Sequence, residues 1–475
     1  MTSQENFWDN VTKYRELGMD PLRWVAGCAV KVDLNSVVYP ALRQIKPKLK
    51  ELGVFLGDRV DADVFPKTNN ELELSRIILD PKNPEIDSSH LARINPTRAI
   101  SLIQLHQRNA DQPEKFANIL LGIYNVISTS NVKFFVGKGH SIITGYADAE
   151  FSLFDFISED NGNPEGWNLA NNDTIQIIDP TADPGSYSQS AAAVSNSLND
   201  LITLGCYEDI KIHPVIDSPN DELFNQISKN MHEFSNRYNV DVVESLSPNK
   251  GKLLIGATIT GSLHKEPPTK LDLLKENMEI LVTRPFGDLA PINVYLSCVA
   301  DPDFLTNLES QGYNLDQVEN AKQSVIDTMS VPNLKVAQII NEYLPNYGGQ
   351  FDTSEHILAT GDLSGPGILI FKEAADNGHL DIELTDIPLK YPEYVKFATE
   401  NFLMDNATAG TNGAIALMAE HDILSEISGK LKREGYDPQF VGKILGKGEG
   451  HLFVNSDVKN SIASKSLLDE LDIKN

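Results

Sequence analysis

The sequence predicts an α/β (α+β) protein made of two consecutive mixed domains. Three observations predict it: a length of 475 residues, a hydrophobic content of 41%, and short β-branched or aromatic runs that alternate with runs of helical period. That length exceeds what one simple core usually covers, and the composition is ordinary for a folded protein. Alternating strands and helices are typical of α/β and α+β domains.

The composition also excludes several classes of protein. No run approaches the roughly 20 apolar residues of a membrane-spanning helix, and the N-terminus lacks the features of a signal peptide. The three cysteines are too few and too scattered for a disulfide framework or a thiolate zinc site, so we expect a reducing, cytoplasmic location. A formal charge of -27 would repel nucleic acid. Such acidity fits either solubility or carboxylates that collect divalent cations.

Residues 1–131 read as helical segments. Within residues 1–57, the stretch Val37 to Leu52 has apolar residues at helical spacing despite two prolines, and Gly53 follows as a stop. Residues 58–131 contain two further runs of helical period, TRAISLIQLHQRN and PEKFANILLGIYNVIS. We therefore expect an N-terminal segment followed by a largely helical insertion.

Residues 132–263 form the first expected mixed domain. Two helices, Ser188 to Leu204 and Asp221 to Tyr238, alternate with strands at FFVG, FSLFDFI, DTIQIID, IKIHPVI, VDVVESL and KLLIGATITGSL. The segment HKEPPT then makes a linker. The second expected domain, residues 271–475, opens with MEILVTRPFG, continues with several helices to about Asn346, and ends in another mixed stretch.

Two short motifs carry candidate chemical groups. In AGCAVK, Cys28 lies three residues before Lys31, and a nearby ammonium group lowers the pKa of a thiol and so makes it a nucleophile; the alternative is a buried structural cysteine. Asn196 and Asp200 are four residues apart, so in a helix an amide and a carboxylate share one face that could bind metal or phosphate. The alternative there is a solvated helical face.

Isolated aspartates near predicted strand ends are candidate magnesium ligands. They are Asp148, Asp179 or Asp183, and Asp362. Magnesium bound to a triphosphate takes hard oxygen ligands, and strand ends hold such ligands rigidly, although aspartate is also common in turns. Glycine-rich turns at 361–367 and 406–413 could bring backbone N–H groups to an anion. Neither turn matches the P-loop or the dinucleotide-binding fingerprint.

Taken in order, these segments resemble selenophosphate synthetase (selenide, water dikinase), within the aminoimidazole ribonucleotide synthetase-like superfamily, over most of the chain outside residues 60 to 130. The helix AAAVSNSLNDLITLG is similar to the family's AATNAISDIFAMG, and AGCAVK to its GAGCGCK. ADAEFSLFDF resembles the family's DDAAVY, and TIQIIDPTADP resembles its TTDFF. GATITGSL resembles GLAVTGIV, and VTRPFG resembles TKPLG. Further along the chain, ATGDLSGPG resembles ATDVTGFG, and NATAGTNGA resembles DPQTSGG.

The resemblance implies a homodimeric, ATP- and Mg²⁺-dependent phosphotransferase that makes selenophosphate, AMP and phosphate from selenide, ATP and water. Cys28 falls on the family's reactive cysteine and Lys31 on its essential lysine. The implied metal ligands are Asp148, Asp179, Asp200 and Asp362. The implied nucleotide-binding residues are Lys31, Asp179, Asn196, Asp200 and Asp362, with Asp179 favoured over Asp183.

The chain also departs from the family pattern on the acceptor side. Val30 replaces the second cysteine of GCGCK, Asp148 lacks its neighbouring aspartate, and residues 244–247 replace the family's GGHSID. The phosphoryl acceptor therefore stays open: it is a small chalcogen such as selenide or sulfide, or a carbonyl or amide oxygen. The third hypothesis is a degenerate, non-catalytic homologue that binds nucleotide or only scaffolds a partner.

Overall fold

A computed structural model of the chain describes residues 3–18, 44–45, 47–48, 132–136, 142–146, 166–175, 177–243 and 253–474. Within these ranges the fold is mixed α/β with two sheets, which confirms the predicted fold class. The expected helical insertion, residues 58–131, lies outside them, as does nearly all of the predicted helix Val37 to Leu52.

The first sheet has, in the described residues, the strand order β1-β2-β3-β6-β4-β5. Neighbouring strands are antiparallel except β4 and β5, which are parallel. The bounds are β1 Val132–Val136, β2 Ile142–Tyr146, β3 Trp167–Ile175, β4 Glu208–Asp217, β5 Asp241–Val242 and β6 Leu254–Leu263.

The second sheet has seven strands in the described residues, in the order β13-β12-β9-β11-β7-β10-β8. Its central strands are apolar on both faces, as in the IALMA run of β10, because each face packs on a different hydrophobic core. The bounds are β7 Glu279–Val282, β8 Ala359–Asp362, β9 Leu380–Leu384, β10 Ile415–Ala419, β11 Gln439–Lys447, β12 Leu452–Asn455 and β13 Asp472–Lys474.

The helices that pack on these sheets begin close to their predicted starts where a prediction existed. The helices predicted at 188–204 and 221–238 occur as α2 and α3. The bounds are α1 Ser3–Glu16, α2 Tyr187–Thr203, α3 Asp221–Tyr238, α4 Leu289–Ala300, α5 Pro302–Ser310, α6 Leu315–Met329, α7 Leu334–Glu342, α8 Leu369–Gly378, α9 Pro392–Glu400, α10 His421–Arg433 and α11 Lys465–Leu468. No helix in the described ranges is long and apolar enough to cross a membrane.

One predicted strand is displaced along the chain. The run DTIQIID was expected to be extended, but β3 ends at Ile175, and Asp179 lies in a turn whose carbonyl accepts from the N–H of Ala182. The strand instead contains Asn171, Asn172 and Asp173, which have low β propensity. Pairing with β6 along the whole of β3 overrides that propensity.

Two other predicted strands differ from expectation in extent. The strand expected in VDVVESL is described only as the two-residue β5, since residues 244–250 lie outside the described ranges. FSLFDFI lies outside them entirely. The strands predicted at IKIHPVI and KLLIGATITGSL are confirmed as β4 and β6.

The N-terminal helix α1 packs against the segment that follows β3. Phe7, Val11 and Tyr14, at helical spacing on one face, are at most 1% exposed. Asn10 donates to the carbonyl of Thr181 at 2.7 Å, and the Tyr14 hydroxyl accepts from Gln189 at 2.5 Å. The segment from 179 to 189 is thus held from one side by α1.

Candidate functional site

Helix α2 is the platform of the candidate site. The helix packs against β3, β6 and β8 and against the helices α3, α6 and α7. Nearly all of its residues, including the small Ala191 to Ala193, are therefore buried. Ser197 ties it to the first sheet by donating to the carbonyl of Asp173 at 2.8 Å. A Cβ at Gly256 would lie 2.1 Å from that same carbonyl, so the approach of β6 to β3 requires glycine there.

Asn196 joins α2 to a carboxylate on the first sheet. Its Nδ2 donates to Asp173 Oδ2 at 2.6 Å, and its Oδ1 accepts from the backbone N–H of Asn412 at 3.2 Å. Asn196 is 3% exposed and its contact with Asn412 is buried, whereas its contact with Asp173 is partly buried.

Asn199, one turn further along α2, joins it to a carboxylate on the second sheet. Its Nδ2 donates to Asp362 Oδ1 at 2.7 Å, at the end of β8. The same oxygen accepts from the N–H of Ser364 at 2.9 Å, and Ser364 Oγ in turn accepts from the N–H of Gly413 at 2.6 Å. One helix face therefore contacts Asp173 of the first sheet and Asp362 of the second.

Two further asparagines complete what we call the asparagine network: Asn196, Asn199, Asn333 and Asn412. Asn333 Nδ2 donates to Asn199 Oδ1 at 2.8 Å and to Asn412 Oδ1 at 3.2 Å. All four side chains are at most 8% exposed. The network connects α2, the segment between α6 and α7, and the glycine-rich turn at 406–413.

The predicted residue Asp179 is part of a buried ion pair. Its Oδ2 lies 3.2 Å from Lys322 Nζ on α6, and both side chains are less than 10% exposed. Lys322 also donates to Thr181 Oγ1 at 2.8 Å and lies 4.7 Å from the centre of the Tyr295 ring. The charge of Asp179 is thus compensated by a fixed cation, which favours a structural role for this carboxylate.

The alternative residue Asp183 also contacts a lysine, but at the surface. Its Oδ2 accepts from Lys13 of α1 at 2.6 Å, and both side chains are about half exposed. Burial raises the pKa of Asp183, but hydrogen bonds from Lys13 and the Gly185 N–H outweigh it and hold the pKa below its ordinary value. Asp183 therefore fastens α1 to the loop.

The other predicted residues divide into two groups. Asp200 lies on α2, four residues after Asn196 as expected, and is partly exposed. Cys28, Lys31 and Asp148 lie outside the described residues, and so do residues 244–247. Their roles stay predictions.

The described cysteines are unsuited to nucleophilic attack. Cys206 and Cys298 are both at most 2% exposed. Burial raises the pKa of Cys298 to about 12 and that of Cys206 further, so neither forms a thiolate readily. If the chain has a reactive thiol, Cys28 is the residue left to supply it.

Sequence reasoning missed Asp173, Asn199, Asn333 and Asn412. A signal for Asp173 was available, because the motif TTDFF can be set on Asn171 to Ile175, NNDTI, as well as on the segment that ends at Asp179. The neighbouring asparagines made that run look unlike a strand. Nothing in the local sequence marks Asn333, whose partners are distant in the chain.

The described residues contain no cluster of three or more histidine, cysteine or acidic side chains placed to hold a metal ion. The carboxylates that flank α2 are Asp173 and Asp362, and each also accepts hydrogen bonds from neighbouring residues. Magnesium usually takes only one or two protein carboxylates and completes its shell with water and phosphate oxygens. Asp173 and Asp362 fit that ligand chemistry.

Comparison with known proteins identifies a relative by sequence. No family model matches the chain. A selenide, water dikinase from Methanocaldococcus jannaschii is 21% identical over 291 residues, which cover 60% of this chain and 80% of that protein. The chain is a distant relative of selenide, water dikinase. The resemblance predicted from the motifs is therefore confirmed.

Solved structures with partial similarity include two kinds of protein. A thiamine-monophosphate kinase from Stenotrophomonas maltophilia is 11% identical, with 66% of this chain and 98% of that chain covered and a TM-score of 0.43. The hydrogenase maturation protein HypE in complex with ATP is 15% identical, with coverages of 64% and 85% and a TM-score of 0.43.

Proposed function

We propose that this chain is an ATP- and Mg²⁺-dependent phosphotransferase. The observation that carries the proposal is the face of α2, where Asn196 and Asn199 contact one carboxylate from each sheet, Asp173 and Asp362. Distant homology to a dikinase supports the same reading. Two carboxylates on separate sheets, held by one helix, are oxygen ligands of the kind that a magnesium triphosphate takes.

In this proposal Asp173 takes the role that the sequence assigned to Asp179. The proposed Mg²⁺ ligands are Asp148, Asp173, Asp200 and Asp362. Asn196 is proposed to contact the nucleotide. Bound Mg²⁺ would neutralise charge on the triphosphate. Metal ions that bridge protein carboxylates and phosphate oxygens should make metal and nucleotide each increase the affinity for the other.

Lys31 and Cys28 are the proposed catalytic residues. Lys31 stabilises charge on the transferred phosphoryl group. Cys28, in its thiolate form, positions the acceptor. With selenide as acceptor, the three phosphorus atoms of ATP end in selenophosphate, free phosphate and AMP. Water supplies the additional oxygen of the free phosphate.

A second candidate keeps the same nucleotide site but changes the acceptor to sulfide or to a carbonyl or amide oxygen. Val30, in place of the family's second cysteine, and the replaced GGHSID segment favour it, since both changes fall on the acceptor side. A homologue that binds nucleotide without turnover is the third candidate. What argues against it is the retention of Cys28, Lys31, Asn196, Asp200 and Asp362.

The proposal includes the organisation of the whole chain. Residues 1–57 carry the Cys/Lys motif, 58–131 form a helical insertion, 132–263 form the nucleotide-binding and dimerisation domain, and 271–475 form the C-terminal domain. We propose a cytoplasmic homodimer. Sedimentation of the purified chain would test the dimer, and a monomer at micromolar concentration would contradict it.

The decisive experiment is product analysis by phosphorus NMR. Purified protein is incubated anaerobically with ATP, Mg²⁺ and selenide, beside samples with sulfide and without acceptor. Selenide-dependent selenophosphate together with AMP supports the first candidate. ATP consumption without selenophosphate supports the second, and unchanged ATP in every sample supports the third. Failure to bind Mg·ATP in a separate titration contradicts all enzymatic candidates.

A matched pair of cysteine variants tests the acceptor side. Cys28→Ala should abolish acceptor-dependent turnover while leaving the dissociation constant of Mg·ATP unchanged. Cys298→Ala, which alters a buried thiol of raised pKa, should retain turnover in the folded fraction. Equal turnover in wild type and Cys28→Ala would remove Cys28 from the mechanism.

A further inference from the structure

Asn412 has a left-handed backbone conformation, and both its side chain and its main chain form buried hydrogen bonds. Its φ of 53° is in the left-handed region, which asparagine tolerates better than most residues. The residue is 1% exposed. Its Nδ2 donates to the carbonyls of Met329 and Val331, each at 2.9 Å, and its own carbonyl accepts from Arg284 at 3.0 Å.

These contacts fix which way the Asn412 amide points. Backbone carbonyls can only accept, so the NH₂ group must face Met329 and Val331. Oδ1 then faces Asn333, which must donate to it. The remaining hydrogen of Asn333 points to Asn199 Oδ1, and Asn199 is left with its NH₂ group towards Asp362.

The main chain of Asn412 fixes the second amide in the same way. A backbone N–H can only donate, so its contact with Asn196 identifies the facing atom as Oδ1. Asn196 must then present its NH₂ group to Asp173. Asn412 thus helps to orient the amides next to Asp173 and Asp362, and the neighbouring Gly413 carbonyl adds longer contacts from Asn333 and Asn199, at 3.4 and 3.5 Å.

We infer that Asn412 is a positioning residue that sets the orientation of the amides contacting Asp173 and Asp362. The inference rests on the proposed function and deepens it. Asn412 acts through Asn196 and Asn199 rather than through contact with substrate. A reversed amide would place a carbonyl oxygen against a carboxylate, which is repulsive and costly in a buried site.

Arg284 reinforces this position. Its guanidinium forms a two-point contact with Asp288, at 3.1 and 2.9 Å, while it donates to the Asn412 carbonyl. Both side chains are at most 10% exposed. The turn that carries Asn412 is therefore anchored to the segment between β7 and α4, which holds the orienting N–H in place.

Two substitutions separate backbone shape from hydrogen-bond direction. Asn412→Gly keeps the left-handed backbone but removes the side chain. Asn412→Asp keeps the shape and replaces the NH₂ donor by an oxygen facing the Met329 and Val331 carbonyls. The control is Asn239→Gly, since Asn239 is also left-handed, at φ 54°, but is exposed at the end of α3.

The measurements are Mg·ATP affinity, the Mg²⁺ concentration at half-maximal ATP turnover, and thermal stability. We expect Asn412→Asp to weaken Mg·ATP binding by roughly tenfold and to raise the Mg²⁺ requirement, with a smaller change in Asn412→Gly. Asn239→Gly should change neither. Asn412 variants that lose thermal stability but match the control in affinity and Mg²⁺ requirement would overturn the inference.

A second measurement needs no nucleotide. Hydrogen exchange of the free protein should become faster in peptides covering α2 and the turn at 406–413 in both Asn412 variants, but not in Asn239→Gly. Unchanged exchange would overturn the inference on its own. If wild type binds no Mg·ATP, the proposed function fails while this measurement still decides whether Asn412 organises the network.

Discussion

The asparagine network contacts aspartates next to α2 and the loop from 179 to 186 contains two more, but the carboxylates have different partners. In the network, Asp173 and Asp362 accept from the neutral amides of Asn196 and Asn199. In the loop, Asp179 and Asp183 are paired with Lys322 and Lys13.

The type of partner, a neutral amide or a lysine, distinguishes the roles of these aspartates, which their positions in the sequence do not. An amide donor orients a carboxylate without adding charge, whereas a lysine cancels the charge that would attract a metal cation. A buried lysine in such a pair is also costly to leave without its partner. The loop is therefore suited to holding elements together, and the network fixes the direction of the Asp173 and Asp362 carboxylates.

The largest expected effect is on turnover. Asp173→Asn and Asp362→Asn should each lower Mg²⁺-dependent ATP turnover by about three orders of magnitude, because metal-centred charge stabilisation is worth several kcal/mol. Steady-state kinetics across a Mg²⁺ titration measure it. The exposed Asp422→Asn is the control and should behave as wild type. Near-normal turnover in Asp173→Asn would return the metal role to Asp179.

The second effect concerns stability. Asp179→Asn should lower the free energy of unfolding by about 3–5 kcal/mol, because Lys322 is left buried without its counter-charge. The double variant Asp179→Asn/Lys322→Met should regain much of the loss. Urea denaturation measures both. A shifted Mg²⁺ requirement in Asp179→Asn with unchanged stability would erase the distinction between loop and network.

A smaller effect is expected where α1 meets the loop. Tyr14→Phe removes the hydroxyl that accepts from buried Gln189 and should cost about 1 kcal/mol. Hydrogen exchange of α1 should accelerate accordingly. Thr12→Ala, which removes an exposed hydroxyl bonded only within α1, is the control. Equal exchange in the two variants would mean that the Tyr14 contact does not hold the helix.

The smallest effect depends on pH. The pKa of Asp183 is lower in the folded chain than its ordinary value of 3.8, so its contact with Lys13 stabilises α1 docking above about pH 4. That contribution disappears as pH falls through the depressed pKa. Because both side chains are half exposed, it should stay below about 1 kcal/mol. Hydrogen exchange of α1 between pH 5 and 3 measures it, and Lys13→Met should remove the pH dependence.

Strong local patterns made much of the fold predictable. The helix predicted from Ser188 to Leu204 and the strand predicted at KLLIGATITGSL both occur within a few residues of the predicted ends, as α2 and β6. The strand β3 was misplaced because Asn171, Asn172 and Asp173 disfavour strands, and only pairing with β6 overcomes this.

The site was harder to predict than the fold because its decisive contacts are long-range. Choosing between Asp173 and Asp179 requires knowing that Lys322, 143 positions after Asp179, packs beside it. The partnership of Asn196 with Asn412 spans 216 positions. Neither contact leaves a local signature, whereas the spacing of Asn196 and Asp200 within one helix could be read directly.

The docking of α1 has a consequence for biosynthesis. Its partners Thr181, Asp183 and Gln189 lie at least 170 positions later in the chain. At a synthesis rate of about 5–20 residues per second, α1 leaves the ribosome roughly 10 to 35 seconds before they do. A 14-residue helix is marginal alone. During that interval Phe7, Val11 and Tyr14 form an apolar segment that chaperones can bind. The packing of α1 forms only after its partners have been synthesised.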